Sequence, residues 1–196
     1  MNSTEWTALQ ELLWLLVLDW RTSVLMALVL AAAFIDCRTR RIPNKLVLFG
    51  VAFGIAYNIA FPPFPKAGVL WPLQGLGLGF IAFVPFYALG VMGAGDVKLM
   101  AMVGAFLGPL DLVWVILCTL IAGGALSVLW SLVTGKAGRM SRNLAQLSQQ
   151  ALFSALSGIR PSLRLDEGAS VGKLPYAVAI AFGTIGYLIL HPLGFI

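Results

Sequence analysis

Charged side chains are scarce in this sequence. Of its 196 residues, only 11% are Asp, Glu, Lys or Arg, whereas 60% are hydrophobic. A soluble domain carries about 25% charged residues, because its surface has to be hydrated. The shortage excludes an ordinary soluble globular domain and predicts a chain whose outer surface contacts lipid.

Residues that bind transition metals are also few. The chain has one histidine and two cysteines, Cys37 and Cys118, which lie far apart in the sequence. Zinc sites need Cys and His ligands at short, characteristic spacings. We therefore predict no metal and no cofactor, and we interpret the two cysteines as unrelated free thiols.

A net charge of +5 raises the question of nucleic-acid binding. The basic residues occur in short stretches beside apolar runs, and not in one continuous basic patch. Such stretches are typical of the cytoplasmic loops of membrane proteins. We therefore predict contact with membrane lipid and no nucleic-acid partner.

Long apolar runs stand where the charge is missing. A membrane-spanning helix needs about 20 predominantly apolar residues. Six runs are candidates, at positions 22–37, 46–61, 69–92, 97–107, 112–133 and 174–190. The run at 97–107 stops at Gly108-Pro109, so it either tilts in a thinned membrane or continues through Pro109 as a broken helix. The pattern predicts an all-α polytopic membrane protein with about six transmembrane helices plus short interfacial or amphipathic helices.

Two further segments are apolar without being spans. Residues 1–21 are rich in Trp, which favours the membrane interface, and we place them at the outer face. Residues 139–159 carry apolar side chains at helical spacing, which predicts an amphipathic surface helix or a soluble hairpin arm. We therefore divide the chain into an outer interfacial segment, 1–21, and a membrane domain, 22–196, which includes a cytoplasmic amphipathic loop, 135–173.

The basic residues also predict the orientation of the chain. With the N-terminus outside, only Arg21 and Lys66 lie outside the membrane. The other eleven then lie in cytoplasmic loops: Arg38, Arg40, Arg41, Lys45, Lys98, Lys136, Arg139, Arg142, Arg160, Arg164 and Lys173. Because cytoplasmic loops are enriched in Lys and Arg, this orientation is strongly favoured over its reverse.

Two of the eight acidic residues adjoin apolar runs at the predicted cytoplasmic boundary. Asp36 ends the first run, and Asp96 precedes the short fourth run. An ionisable residue at membrane depth is energetically costly and indicates a functional site. Taken singly, each acid could instead reach water or pair with Arg38 or Lys98.

The residues after Asp36 form a recognisable turn. A basic stretch leads to Ile42-Pro43-Asn44. Pro43 has a restricted φ and favours an extended conformation at Ile42. Asn44 is expected to cap the following helix by accepting a backbone N–H.

The residues before Asp96 are small. In Gly93-Ala94-Gly95-Asp96, the glycines permit backbone geometry and a close approach of helices that larger residues prevent. Lys98 is expected to extend toward the lipid headgroups. A tetrapeptide of this kind is a weak signal by itself, and its value lies in its combination with Asp36 and the Ile-Pro-Asn turn.

The predicted topology brings Asp36 and Asp96 to the same membrane face. Two neighbouring carboxylates do not both ionise readily, so one holds a proton. The ionised partner can then activate water, while the protonated one polarises a carbonyl group. This is the chemistry of aspartic peptidases.

Together these motifs resemble the type IV prepilin peptidases, which are membrane aspartic peptidases of the GxGD type. Lys173-Leu174-Pro175-Tyr176-Ala177 is also similar to the family's Pro-containing entry to its last helix, so the likeness covers roughly residues 23–190. The resemblance implies that Asp36 and Asp96 are catalytic, supported by Ile42, Pro43, Asn44, Gly93, Gly95, Lys98 and Pro175. It also implies cleavage of a pilin-like precursor at the cytoplasmic face of the bacterial inner membrane.

The loop between the first two runs is short, at residues 38–45, and the larger bifunctional members carry a cysteine-rich zinc-binding insertion that is not seen here. The resemblance is therefore closest to the short peptidases of Flp-type (tight-adherence) pili. This favours a product without N-methylation, but that question stays open. The oligomeric state stays open.

Two other classes compete with the peptidase. A small ion-coupled transporter could use Asp36 and Asp96 to relay protons, but we find no internal repeat, and the acids lie near one face and not at the midplane. A non-catalytic assembly component of a pilus or secretion system would tolerate replacement of either acid by Asn.

Overall fold

A computed structural model describes residues 20–64, 68–133 and 175–191. These ranges contain helices and turns and no β-strand. The six helices are α1 (Trp20–Thr39), α2 (Asn44–Ala60), α3 (Leu70–Ala88), α4 (Ala94–Leu107), α5 (Pro109–Val133) and α6 (Tyr176–Leu190). The all-α prediction is confirmed, and each helix corresponds to one of the six apolar runs. The amphipathic loop 135–173 and nearly all of the N-terminal segment 1–21 lie outside the described residues.

Three of these helices are long and apolar enough to cross a membrane, namely α1, α3 and α5. The other three are shorter, and α2 and α6 are also apolar. Large apolar side chains are exposed on the long helices, as at Ile81 and Ile121, which are 69% and 73% exposed. In water such surface is unfavourable, whereas lipid accommodates it, so the protein is a polytopic membrane protein.

Packing divides the chain into two units, Met1–Gly123 with Pro175–Ile196, and Gly124–Leu174. The described part of the first unit contains α1 to α4, the first part of α5, and α6. The described part of the second unit is the end of α5, residues 124–133. The division into segments 1–21 and 22–196 stays a prediction.

The short helix α4 lies at the centre of the first unit. Eleven of its fourteen residues are buried, and it contacts α1, α2, α3 and α6. Fourteen residues extend only about 21 Å, which is less than the hydrocarbon thickness. Because protein surrounds α4, the helix does not have to cross the lipid by itself.

Main chain packs directly on main chain between α3 and α4. Gly75 of α3 lies against the backbone of Gly104, and a Cβ placed on Gly79 would be 2.6 Å from the carbonyl oxygen of Met100. The Gly75-x3-Gly79 spacing places both glycines on one helix face, as in small-residue motifs of membrane helices. Side chains larger than hydrogen are therefore excluded at these two positions.

The packing of α2 on α4 follows the same pattern. Gly50 lies under the side chain of Met102, and a Cβ on Gly54 would be 2.9 Å from the ring of Phe106. Both glycines are buried. Two helices thus approach α4 closely through glycines spaced four residues apart.

The break predicted at Gly108-Pro109 is confirmed. Gly108 has a φ of 82°, a left-handed conformation that glycine adopts without steric penalty, and it separates α4 from α5. Pro109 is the first residue of α5, where its missing N–H has no partner to lose. Of the two expected arrangements, the broken helix is the one present.

Asn58 of α2 satisfies the carbonyl groups that this break leaves at the end of α4. Its Nδ2 lies 2.9 Å and 3.0 Å from the carbonyl oxygens of Ala105 and Phe106, and 2.9 Å from that of Gly54. The last carbonyls of a helix have no partner within the helix. Asn58 is only 1% exposed, and its Oδ1 accepts a hydrogen bond from Arg21 at 3.4 Å.

Candidate active site

Asp36 and Asp96 lie at the same end of the first unit, where α1 ends and where α2, α4 and α6 begin. We call this the acid end. Asp36 is in the last turn of α1 and Asp96 in the first turn of α4, and they are 7% and 8% exposed. Their carboxyl groups are close enough to interact electrostatically. The fold therefore brings together two acids that are 60 residues apart in the sequence.

The N-terminus of α4 fixes the side chain of Asp96. Gly93 is the N-cap, so Asp96 is the third residue of the helix. Its Oδ2 accepts the N–H of Gly93 at 3.0 Å, and its own N–H donates to the carbonyl of Gly93 at 3.1 Å. This is one half of a capping box, since a glycine has no side chain to complete the other half.

The N-terminus of α6 supports Asp36. Pro175 is the N-cap, and the backbone N–H of Ala177 donates to the Asp36 carboxylate. The first N–H groups of a helix have no intrahelical acceptor, which makes them good donors to an anion. The neighbouring Tyr176 is partly buried and lies within electrostatic reach of Asp96.

A left-handed residue ends α1 just beyond Asp36. Arg40 has a φ of 54°, and its N–H donates to the carbonyl of Asp36 at 2.9 Å. Such a conformation at a helix end is usually taken by glycine. The guanidinium of Arg40 is also close enough to act electrostatically on the Asp36 carboxylate. The sequence predicted only a role in topology for this residue.

The expectation that Asn44 caps α2 is wrong. Asn44 is the first residue of the helix, Pro43 is the N-cap, and no side chain caps this end. The side chain of Asn44 instead accepts a hydrogen bond from Nζ of Lys98 at 3.1 Å. A long-range partner has taken the place of the local one. Lys98 is exposed, and its ammonium group is bound to Asn44. Its extension toward the lipid headgroups stays a prediction.

Gly95 brings the Ile-Pro-Asn turn against α4. A Cβ placed on Gly95 would be 3.2 Å from Cβ of Ile42 and 3.4 Å from its Cγ1 and Cδ1. The prediction that a small residue here permits close approach is consistent with this geometry, and the approaching group is Ile42. All the sequence-predicted site residues therefore lie at the acid end, whether or not they contact an acid.

Sequence reasoning missed the amide of Ala177, the phenol of Tyr176 and the charge of Arg40. The Pro175-Tyr176-Ala177 run stood out in the sequence, but nothing in it indicates that a main-chain N–H is the contacting group. Within the described ranges, no three His, Cys, Asp or Glu side chains cluster in a way that could hold a metal ion.

A family model for the type IV leader peptidase family matches residues 23–128, which is more than half of the chain. The chain belongs to that family. The matched range includes both acids, the Ile-Pro-Asn turn and the GxGD tetrapeptide, whereas Pro175, Tyr176 and Ala177 lie beyond it.

Two relatives in the comparison are prepilin leader peptidase/N-methyltransferases. The protein from Myxococcus xanthus (strain DK1622) is 34% identical over 131 residues, which is 61% of this chain and 37% of the relative. The protein from Pectobacterium carotovorum subsp. carotovorum is 30% identical over 115 residues, or 57% of this chain and 41% of the relative. This family member therefore matches about two fifths of the length of these relatives. No solved structure matches the chain.

The acid end of this leader-peptidase family member is suited to acid–base chemistry. Each carboxylate accepts one backbone amide, which fixes its orientation. A carboxylate has about four acceptor positions, so acceptor capacity is left for a water molecule or a substrate group. Both acids retain some exposure, which gives access to such groups.

Proposed function

We propose that this protein is a membrane-embedded aspartic endopeptidase that removes the leader peptide from type IV prepilins, with Asp36 and Asp96 as its catalytic pair. The observation that carries the proposal is the pairing of two buried acids from different helices at one end of the unit. Family membership supports the same activity. Residues 22–196 would form the peptidase domain, and residues 1–21 an interfacial segment.

In the proposed reaction, the ionised carboxylate removes a proton from water, and the water oxygen attacks the carbonyl carbon of the scissile peptide. The protonated carboxyl group donates its proton to the carbonyl oxygen, which forms a neutral tetrahedral diol. Collapse of the diol breaks the C–N bond, and a proton passes to the leaving amine. Because coupled protons belong to the pair, we do not divide these roles between Asp36 and Asp96.

The charge at the acid end supports a cytoplasmic orientation. Exposed basic side chains surround this end: Arg38, Arg40, Arg41, Lys45 and Lys98. Basic loops remain on the cytoplasmic side of the bacterial inner membrane. The proposed site therefore faces the cytoplasm, where the leader of an unprocessed precursor would be found.

Membrane-impermeant thiol labelling of Arg41→Cys and Phe64→Cys, in a background without Cys37 and Cys118, tests this orientation. Labelling of position 64 from the cytoplasm alone would reverse the orientation.

The connection between α1 and α2 supports the Flp-type substrate. It consists of residues 40–43 only, because α1 ends at Thr39 and α2 begins at Asn44. A connection of four residues leaves the proposed site uncovered by an inserted domain at this point. The proposed activity is leader cleavage, on a precursor with a basic leader followed by an apolar helix.

The experiment is co-expression of candidate pilin precursors with the wild-type protein or with Asp96→Asn, followed by mass spectrometry of the product's N-terminus. We expect one cut between the leader and the apolar helix, and no product from Asp96→Asn at matched abundance. If cleavage is undiminished with Asp96→Asn, another peptidase in the strain makes the cut. That result would favour a role for this protein in assembly. Proton or ion flux without cleavage would favour the transporter.

A further inference from the structure

One side-chain hydrogen bond joins the two segments that carry the acids. Nζ of Lys98 donates to Oδ1 of Asn44 at 3.1 Å, and the two residues are 54 positions apart. Asn44 begins α2 immediately after the turn that follows Asp36, and Lys98 lies two residues after Asp96. The bond therefore connects the chain leaving one acid to the helix that carries the other.

A second contact joins the same segments beside this bond. Ile42 lies two residues before Asn44, and Gly95 lies next to Asp96. A Cβ on Gly95 would be 3.2 Å from Cβ of Ile42, which is closer than most real contacts between such atoms. The absence of a side chain at Gly95 thus allows Ile42 to lie flat against the first turn of α4.

We propose that the turn at residues 42–44 is a positioning brace for α4, in which the Asn44–Lys98 hydrogen bond and the Ile42–Gly95 contact set where Asp96 lies relative to Asp36. The proposal rests on the proposed function. In it, Ile42, Asn44 and Lys98 are positioning residues, because they act on the reaction only through the location of the acids.

The length of α4 explains why its first turn needs support of its own. The hydrogen bonds from Asn58 hold the other end of the helix, about 15 Å from Asp96 at 1.5 Å per residue. The first turn of α4 extends beyond the backbone contact of Met100 with Gly79, so a local shift of this turn would displace Asp96. Such a displacement matters for catalysis, since a misplacement of about 1 Å can reduce a rate about 100-fold.

Because the brace is exposed to solvent, we expect its loss to affect activity more than stability. Asn44 and Lys98 are both exposed, and a charged hydrogen bond in contact with solvent contributes little to stability. The fold is held by the buried glycine contacts of α4 instead. Removing the Asn44–Lys98 bond should therefore leave a folded protein with displaced carboxylates, which lowers kcat more than it raises KM.

The test compares Lys98→Met and Asn44→Leu with Lys45→Met, which removes a neighbouring exposed lysine that does not form this bond. We expect kcat on a precursor peptide to fall about two- to fivefold in the first two variants, which is as much as the loss of one exposed hydrogen bond can shift the position of Asp96, with KM changed less. Lys45→Met should match the wild type. Lys98→Arg and Asn44→Asp keep a donor and an acceptor, so each should recover most of the rate. Lys98→Met/Asn44→Leu should be no slower than either single variant, because both changes remove one interaction.

The apolar contact has its own pair of variants. Gly95→Ala should lower kcat because the new methyl group pushes Ile42 away from α4. Ile42→Ala removes the side-chain atoms beyond Cβ, so the smaller residue 42 can move aside for the methyl group of Ala at position 95. The double variant Ile42→Ala/Gly95→Ala should therefore cleave faster than Gly95→Ala alone. An equal or greater loss in the double variant would contradict a shared steric contact.

A distance measurement tests the brace without depending on cleavage. Spin labels at Cys37 and at Ala94→Cys, in a Cys118→Ser background, report the separation of the end of α1 from the start of α4. We expect Lys98→Met and Asn44→Leu to broaden or shift the distance distribution, and Lys45→Met to leave it unchanged. Unchanged distances, or wild-type kcat in Lys98→Met and Asn44→Leu, would overturn the brace. Failure of the wild type to cleave any precursor would overturn the proposed function and leave the distance test in force.

Discussion

The two ends of α4 use polar side chains differently. At its C-terminus, Asn58 is 1% exposed, and its amide is engaged by carbonyl groups of α2 and α4 and by Arg21. At its N-terminus, Asp36 and Asp96 are 7% and 8% exposed, and each accepts a backbone amide. A buried polar group whose hydrogen bonds are satisfied stabilises a structure, whereas a carboxylate with remaining capacity is available for chemistry.

The middle of α4 links these two ends rigidly. There the helix packs on α3 through backbone, with Gly75 against Gly104 and Gly79 against Met100. Backbone cannot adopt a different rotamer to relieve strain, so the contact permits little rearrangement. The comparison predicts that substitutions in the middle and at the C-terminus of α4 reduce stability, while those at the acid end reduce activity.

The largest loss of stability is expected for Gly75→Ala, with Gly77→Ala as its matched control on the same helix. A methyl group on Gly75 would meet the backbone of Gly104, whereas one on Gly77 has no atom within 4 Å. We expect Gly75→Ala to destabilise by about 3 kcal/mol, at the upper end of overpacking changes. Gly77→Ala should be neutral or slightly stabilising, because Ala favours a helix by about 1 kcal/mol. Thermal unfolding in detergent measures both, and equal melting temperatures would show that α3 and α4 do not pack in this way.

A smaller loss of stability is expected for Asn58→Leu. The change leaves the carbonyl groups of Ala105 and Phe106 without this donor in a buried place, which costs about 2 kcal/mol. Asp36→Asn, at the acid end, should leave the melting temperature near that of the wild type. If Asp36→Asn unfolds the protein and Asn58→Leu does not, the acid end provides stability and the Asn58 end does not. That result would contradict the comparison.

The smallest effect is expected for Arg40→Gln, compared with Arg41→Gln. Of these two arginines, Arg40 is the one that interacts electrostatically with the Asp36 carboxylate. We therefore expect Arg40→Gln to reduce the cleavage rate a few-fold and Arg41→Gln to stay near the wild-type rate. Arg40→Gly should have the same activity as Arg40→Gln but greater stability, since glycine adopts a φ of 54° without the penalty of about 1–2 kcal/mol for other residues. Cleavage assays and unfolding curves check these expectations, on variants whose orientation in the membrane has been verified. Complete inactivity of Arg40→Gln would indicate a more direct role than the one proposed.

The sequence predicted the helices and the shared location of the acids because both depend on strong, simple patterns. Long apolar runs set the helices, and the number of spans between Asp36 and Asp96 places the acids at one end. The break at Gly108 was predictable because few residues other than glycine take its conformation and because Pro109 follows it.

Other features depend on partners that a linear pattern does not identify. Asn44 has a strong local preference for helix caps, yet Lys98 competes for its side chain from 54 positions away. The Gly50-x3-Gly54 and Gly75-x3-Gly79 spacings were visible in the sequence and would have indicated close helix contacts, but not that α4 lies between them. The amide of Ala177 is main chain, so no residue type marks it.

The most direct test of the paired acids is the cleavage rate of Asp36→Asn, Asp96→Asn and the double variant, measured on equal amounts of folded protein from pH 4 to 10. We expect each single variant to lose at least about 1,000-fold in kcat, and the double variant to be no slower, because groups that act as a unit are not additive. The wild-type rate should fall at low pH, where both carboxyls are protonated, and at high pH, where both are ionised. Substantial turnover by either single variant, or a double variant slower than both by the product of their losses, would contradict a catalytic pair.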